Sequence, residues 1–396
     1  MLGLGAYPEV VRVDRTERAI EKVGSLSTTS MDLASFWRAC TEVISGVVPH
    51  FWSPCFFTLD PASLLVTSHF HEGLDKFPAK ALAQEYYGDD VHKLVDIVRS
   101  ASGLSTIHEA TNGDPSGSPR WQFNMSMGGD QEMIARLRTK QGETWGALGL
   151  YREPGAPMFA DREKEFLRVI GPTLAAGARR AMTLGEAKDP EAPDAPGLLV
   201  IDDTWEVRSA TPGAEHWLGR LPDGDLAAGR LPSSVVAVAA QGLQSITEHD
   251  PVIVAFSRVL AQDGTWILLH GAPLSGEDQR RVAVIIEPAH PARIYPLLMS
   301  AYGLTERERD VVELVLTGSS TNEIAAELFL SPLTVQNHLK NVFEKTGVRS
   351  RRDLVGKVFF THYEPRLRDN EQRVLRGEPV RGGPVVPEAT PLDAAE

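Results

Sequence analysis

The chain has 396 residues and a formal charge of −13, from 40 Lys and Arg against 53 Asp and Glu. At roughly 100–200 residues per domain, it is predicted to hold two to four domains. With 42% hydrophobic and 23% charged residues it is neither a wholly disordered chain nor a membrane bundle, and its acid excess, taken whole, argues against a nucleic-acid binder, whose footprint is a basic surface.

From the N-terminus, residues 1–14 lack the basic start and apolar core of a secretory signal. No run reaches the ~18 apolar residues of a membrane span, so the expectation is a cytoplasmic protein with no membrane partner. Cys40 and Cys55 are too few for a disulfide scaffold or a four-cysteine zinc site, and read as reduced and buried. Residues 36–48 read as an amphipathic helix and 55–59 as a strand. Asp60-Pro61 makes a turn, 64–68 pairs back, and loops fill 70–128. Strands follow at 132–138 and 145–151 around the turn Gln141-Gly142-Glu143, then a helix at 161–182 with Phe166, Val169, Ile170 and Leu174 on one side. This order, with Trp145-Gly146, Tyr151-Arg152 and Phe159, resembles a GAF domain, a small-molecule sensor fold. The resemblance implies a ligand between the sheet and the loops of 70–128. Trp121, Trp145, Tyr86 and Tyr87 are candidates to line such a pocket, with core packing as the favoured reading.

Residues 185–197 (GEAKDPEAPDAPG) carry prolines and acids and no large apolar residue, so they read as an exposed linker. Beyond it, a hairpin at 198–208, helices at 212–218 and 233–243, and strands at 252–260, 265–270 and 281–287 resemble a PAS-like sensor fold. A helix over 293–302 connects to the C-terminal module.

Charge is unevenly spread. Residues 1–297 hold 27 basic and 38 acidic residues, while 298–360 hold eight of each. Within 336–357, Lys340, Lys345, Arg349, Arg351, Arg352 and Lys357 face only Glu344 and Asp353, so one short stretch of an acidic chain is basic. The same region carries the sharpest helix signals. Thr305-x-x-Glu308 and Ser320-x-x-Glu323 are capping boxes. Val311, Val312, Leu314, Val315 and Leu316 give the first helix its apolar face, and Gly318 stops it. Ile324, Ala325 and Leu328 point a second, short helix inward. After a turn at Phe329-Leu330, Ser331 caps a third helix with Pro332 in its first turn; Gly347 ends it, and a fourth helix starts near Ser350. Two short helices about such a turn form a helix-turn-helix. In the third helix Val335, Leu339, Val342 and Phe343 form an apolar stripe, opposite Gln336, Asn337, Lys340, Asn341 and Glu344. Amide side chains suit adenine, and lysine suits guanine or phosphate. Thr334 lies in the first turn, where hydroxyls and free amides suit a phosphate.

The run Leu304-Thr305-Glu306-Arg307-Glu308, then Ile324-Ala325, Ser331-Pro332-Leu333-Thr334-Val335-Gln336-Asn337-His338-Leu339-Lys340, and Lys345-Thr346-Gly347-Val348-Arg349-Ser350-Arg351, closely resembles the LuxR-type (GerE-type) DNA-binding domain. The resemblance implies a four-helix module with its third helix in the major groove and its fourth supporting a homodimer. By position it implies base contacts from Gln336, Asn337 and Lys340. It places Thr321, Thr334, Arg349 and Arg351 at the DNA backbone. Many members carry basic residues where this chain has Gln336 and Asn337. A generic helical bundle and the sigma-factor DNA-binding region remain weaker alternatives.

The expected fold class is multidomain: an α+β GAF-like domain at 1–185, a linker at 186–197, a PAS-like α+β domain at 198–291, an all-α four-helix helix-turn-helix domain at 292–363 and a disordered tail at 364–396. Other chemistry finds little support. Val200-Ile201-Asp202-Asp203 opens like a phosphoacceptor receiver, yet no lysine occurs between Lys188 and Lys340 to contact a phosphoryl group, so the two acids read as turn residues. His69 and His71 alternate on a strand without a third ligand at recognisable spacing, and His216 and His270 read as structural rather than haem-binding. There is no Gly-x-x-x-x-Gly-Lys-Ser/Thr and no Gly-x-Ser-x-Gly. The leading expectation is a transcriptional regulator, not an enzyme, without metal or cofactor. Its partners would be double-stranded DNA and a second copy of itself, with RNA polymerase and an unknown small-molecule ligand as further candidates. The alternatives are an adaptor, or a signal-turnover protein with a vestigial helical tail.

Overall fold

The computed structural model describes residues 15–72, 79–183, 196–225, 228–247, 255–274, 280–288, 302–316, 319–351 and 354. The expected linker, apart from Pro196 and Gly197, therefore lies outside the described residues, as do the C-terminal tail, Gly318, and the connecting helix up to Tyr302.

The first unit opens with α1 (Arg15–Thr28) and α2 (Leu33–Ser45). The Asp32 carboxylate caps α2 by accepting from the Ser35 amide at 2.9 Å, which starts the helix three residues before its first fully buried side chain, Phe36. A five-stranded antiparallel sheet follows, built from β1 (Cys55–Leu59), β2 (Val66–Phe70), β3 (Leu104–Thr106), β4 (Gln131–Arg138) and β5 (Thr144–Arg152) in the order β2-β1-β5-β4-β3. The β1–β2 hairpin pairs two residues later than the sequence suggested, because Leu64 takes φ 61° and extends the turn from Asp60.

One face of the sheet, carrying Phe56, Met133, Ala135, Leu148 and Leu150, packs on α1, α2 and α7 (Asp161–Thr183). In α7 the buried residues include Phe166, Leu167, Ile170, Leu174 and Ala178. Val169, expected on that stripe, is 45% exposed: at 100° per residue it falls outside the arc centred on Ile170 and Leu174. The segment 70–128, read as loops, holds the edge strand β3 and the helices α3 (Ala79–Tyr87), α4 (Leu94–Arg99), α5 (Ile107–Ala110) and α6 (Pro119–Ser126), of which α3 and α4 pack into the core on the other face. These helices are four to nine residues long, too short for a helical period to show.

The second unit holds β6 (Gly197–Asp202), β7 (Val207–Ala210), α8 (Pro212–Leu218), α9 (Ser233–Thr247), β8 (Ala255–Leu260), β9 (Trp266–Leu274) and β10 (Arg281–Pro288). Its strand order, β7-β6-β10-β9-β8, repeats that of the first sheet: second, first, fifth, fourth, third. Both sheets are antiparallel. Helix α9 buries six consecutive apolar residues, Val235 to Ala240. A helix apolar all round must be covered all round, and α9 lies between its own sheet and α3 and β2 of the first unit. At its tightest point only a glycine fits in the sheet: a Cβ on Gly271 would come within 2.5 Å of the Val238 carbonyl oxygen.

One apolar core runs through both α+β units. At its rim the Arg258 side chain forms a bidentate pair with Asp60, Nε to Oδ2 at 2.9 Å and Nη2 to Oδ1 at 2.7 Å, and the Arg258 amide adds a third bond to Oδ2 at 2.9 Å. Both side chains are buried. Asp223 is a second polar tie, accepting from the His69 amide at 3.0 Å and the Ser233 amide at 2.9 Å.

The C-terminal module comprises α10 (Glu306–Leu316), α11 (Thr321–Glu327) and α12 (Pro332–Thr346). Arg351 and Leu354 are helical, and the Leu354 amide donates to the Ser350 carbonyl at 2.9 Å. Its core joins Trp145, Met182, Trp266 and Leu268 of the two α+β units. Arg309 on α10 pairs with Glu143 in the β4–β5 turn at 2.7 Å. Among the described residues no helix is long and apolar enough to cross a membrane.

Candidate nucleic-acid interface

Both capping boxes form. The Glu308 amide donates to the Thr305 hydroxyl at 3.3 Å while Glu308 Oε2 accepts from the Thr305 amide at 2.8 Å. Ser320 and Glu323 repeat the exchange at 3.3 and 2.6 Å. Between α11 and α12, Phe329 takes φ 55° and turns the chain with its ring 95% exposed. The Ser331 hydroxyl then accepts from the Thr334 amide at 3.1 Å and caps α12. Gly347, at φ 70°, ends α12 in the left-handed conformation that favours glycine.

Val335, Leu339 and Val342 bury the inner stripe of α12 against Val311, Val312, Ile324 and Ala325. Gln336, Asn337, Lys340, Asn341 and Glu344 are exposed together on the opposite face. Thr334 is half-buried, with its hydroxyl 2.8 Å from that of Ser331. Thr321 is the first residue of α11, half-buried, and Arg349 is exposed beyond α12. Arg351 sits differently from the other candidates: its Nη1 donates to the Ser319 carbonyl at 2.8 Å, tying the segment after α12 to the start of α11. Lys345 too is engaged within the module, its Nζ 2.5 Å from Glu308 Oε2. Burial pushes the Glu308 carboxyl up, but the Lys345 ammonium and the Thr305 donors outweigh it and hold the pKa below its ordinary value. Of the basic stretch, Lys340 and Arg349 are thus displayed outward while Lys345 and Arg351 hold helices together. Two apolar side chains outside the predicted contact set are also exposed here, Phe329 and, at 68% exposure, Leu333. Their signal was available, since Leu333 falls one turn before Gln336 and Asn337 on the polar face.

In the first unit, the space between sheet and helices is filled by an ion network. Arg120 binds both oxygens of Glu132 and one of Glu85. His92 lies 3.2 Å from Glu132, and Asp90 accepts from the Ser118 hydroxyl at 3.0 Å and the Arg120 amide at 2.9 Å. Burial works against the Glu132 carboxylate, but Arg120 and His92 outweigh it and lower its pKa to about 2. A cavity of about 20 Å³ remains beside Asn124 and Tyr151, room for about one water. Tyr86 and Trp145 are core residues: the Tyr86 hydroxyl accepts from the Val66 amide at 2.9 Å, and Trp145 is fully buried. Trp121 donates to Asp130 at 3.0 Å. The Tyr87 side chain lies outside the described residues.

Cys40 and Cys55 are buried thiols, and burial lifts both pKa values to about 12. Asp202 accepts from the Thr204 and Glu206 amides at 2.9 and 3.1 Å and pairs with Arg208. This is a turn-stabilising role, as the sequence suggested. The rings of His69 and His71 lie 4.8 Å apart, and among the described residues no three His, Cys, Asp or Glu are grouped to hold a metal ion.

These helices, with a polar face on the second of the helix-turn-helix pair, define a DNA-binding class of module. Residues 303–358 match the family of bacterial regulatory proteins, luxR family. The spore germination protein GerE of Bacillus subtilis is 50% identical over 52 residues, 13% of this chain and 70% of that protein. The transcriptional regulatory protein UhpA of Escherichia coli is 48% identical over 56 residues, 14% of this chain and 29% of that protein. The chain belongs to the luxR family of bacterial regulatory proteins. Among solved structures, a phycoerythrobilin-bound GAF domain from a cyanobacterial phytochrome aligns with 43% of this chain and 97% of its own, at 16% identity and a TM-score of 0.31.

Proposed function

We propose that this chain is a transcriptional regulator that binds double-stranded DNA as a homodimer through its C-terminal helix-turn-helix, with α12 in the major groove. A GAF-like unit at 1–185 and a PAS-like unit at 198–291 would govern it through a ligand or partner, from either side of a linker at 186–197. The DNA-binding module would occupy 292–363, ahead of a tail at 364–396. The observation that carries the reading is the exposed face of Gln336, Asn337 and Lys340 on a helix whose opposite stripe is buried. These three read base edges, and Leu333 lies where a thymine methyl would meet an apolar side chain. Thr321, Thr334 and Arg349 hold the sugar-phosphate backbone, while Arg351 supports it from its bond to Ser319. RNA polymerase is a further partner under this reading. Nothing in it calls for catalysis, a metal or a cofactor.

The test is a gel-shift titration against fragments of the chain's own upstream region. Asn337→Ala should alter base preference at one position by about 1–3 kcal/mol. Lys340→Ala should weaken binding and lower the salt slope by about one. Failure to bind any duplex DNA at any salt concentration would overturn the assignment.

A further inference from the structure

A much larger space lies away from the ion network that fills the first unit. It is a cleft of about 720 Å³ between the two α+β units, walled by the start of α2, the β1–β2 hairpin and the end of α7 on one side, and by the β8–β9 hairpin on the other. That volume lies within the ~300–1,000 Å³ range of small-molecule sites, which favour domain interfaces.

Its chemistry is specific. Trp37, Phe70, Met182 and Leu260 make an apolar lining. Within it sits a cluster of hydroxyls: Thr58 Oγ1 lies 2.7 Å from Thr67 Oγ1 and 2.5 Å from Ser68 Oγ. Trp37 is 1% exposed and stacks on Phe56 with ring centroids 4.3 Å apart. Its indole N–H has no hydrogen-bond partner among the described residues. A buried donor left without an acceptor is costly, so its retention beside a cleft calls for an acceptor that arrives from outside. Among the described residues, no lysine or arginine lines the space. The carboxylates at its edge are already engaged, Asp32 as the cap of α2 and Asp263 with Arg220 at 3.2 Å. His69 on the wall is held neutral, since burial and the neighbouring His71 lower its pKa to about 3. An anion would find no counter-charge here, and a strongly polar molecule would lose its hydration against the apolar lining.

We infer that this cleft between the two sensor-like units is a binding site for a neutral, largely apolar small molecule carrying a hydrogen-bond acceptor. Aromatic or acyl groups pack on Trp37, Phe70 and Leu260, while the hydroxyl cluster and, after a small adjustment of the ring, the Trp37 indole N–H meet the acceptor. The site differs from the sheet-and-helix interior that the GAF resemblance pointed to. It also adjoins the DNA-binding module, since Met182 belongs both to its wall and to the core shared with Leu304 and Val311.

The test is fluorescence titration of the full chain with 6-propionyl-2-(dimethylamino)naphthalene, a neutral apolar fluorophore with a carbonyl acceptor, beside 8-anilinonaphthalene-1-sulfonate, an anionic apolar fluorophore. Saturable binding of the neutral probe is expected, with the anion at least tenfold weaker. Ala34→Trp, on the half-buried first turn of α2, fills the cleft and should weaken the neutral probe at least tenfold. Ser68→Leu, on the edge strand, should do the same if the first variant fails to fold, with circular dichroism as the check. Gln84→Leu, beside the small interior cavity, should leave binding unchanged. The inference is overturned if the wild type shows no saturable binding, if the anion binds equally well, if a folded cleft-filling variant binds like the wild type, or if Gln84→Leu removes binding. None of these outcomes bears on DNA binding, which the shift assay reads separately.

Discussion

Glu308 shows how one side chain serves two purposes. It is 2% exposed, closes the first capping box, and reaches across the module to Lys345 on α12. Its pKa in the folded state is depressed, so the stabilisation it gives is present above its unfolded value of about 4.3 and is lost as the pH falls through the lower folded value. Lys345→Met strands the carboxylate and should destabilise the module by about 1–3 kcal/mol at neutral pH. The difference from wild type should shrink on acidification below about pH 4, read by thermal melting across pH. A constant difference from pH 3 to 7 would show that the ion pair contributes nothing. Sequence spacing revealed the capping box, but nothing in it paired residue 308 with residue 345, because that contact depends on how α10 and α12 cross.

At the scale of elements, α12 is defined by its ends as much as by its stripe. Ser331 caps it, Pro332 occupies the first turn at no hydrogen-bonding cost, and Gly347 stops it. Ser331→Ala removes the acceptor for the Thr334 amide and should cost about 1 kcal/mol, measured by denaturant unfolding. It should weaken DNA binding by more than that loss of stability explains, because the first turn is also where Thr334 and Leu333 sit. Helix α1 and the four short helices over the first sheet escaped the sequence reading for opposite reasons. Helix α1 is long enough, but its only buried residues are Ala19, Val23 and Ser27, a faint stripe. The short helices are apolar enough but too brief to show a period. Helix α9 was legible over residues 233–243, but which elements cover it was not.

For the whole molecule, the Asp60–Arg258 pair is a buried ionic tie between the two α+β units. Arg258→Met leaves Asp60 buried without its partner and should destabilise by about 3–5 kcal/mol. Replacing both with leucine should recover much of that loss, as calorimetry would show; equal destabilisation by the single and double variants would mean that packing, not charge, dominates the site. Charge acts at longer range as well. Residues 1–297 are strongly acidic and the C-terminal module is neutral with a basic stretch. Fused acidic units repel the phosphate backbone, so the segment 296–360 alone should bind nonspecific DNA more tightly per subunit than the full chain does. Equal or weaker binding by the segment, at matched salt, would contradict this.

The DNA-binding module was written in the sequence because its information is local. Caps, turn, stripe and polar face all fall within about fifty residues, and helix periodicity alone assigns each side chain to the inside or the outside. The order of strands and helices in the two α+β units was legible in outline for the same reason. The rest required the tertiary structure. Only packing showed that both sheets share one strand order, that Lys345 and Arg351 turn inward while Lys340 and Arg349 face out, and that Arg120, Glu85, Glu132 and His92 close the first unit's interior. Only packing opened a cleft between units whose walls lie as far apart in sequence as Trp37 and Leu260. Such juxtapositions are set by which faces meet, a property of the folded whole that no short stretch of chain encodes.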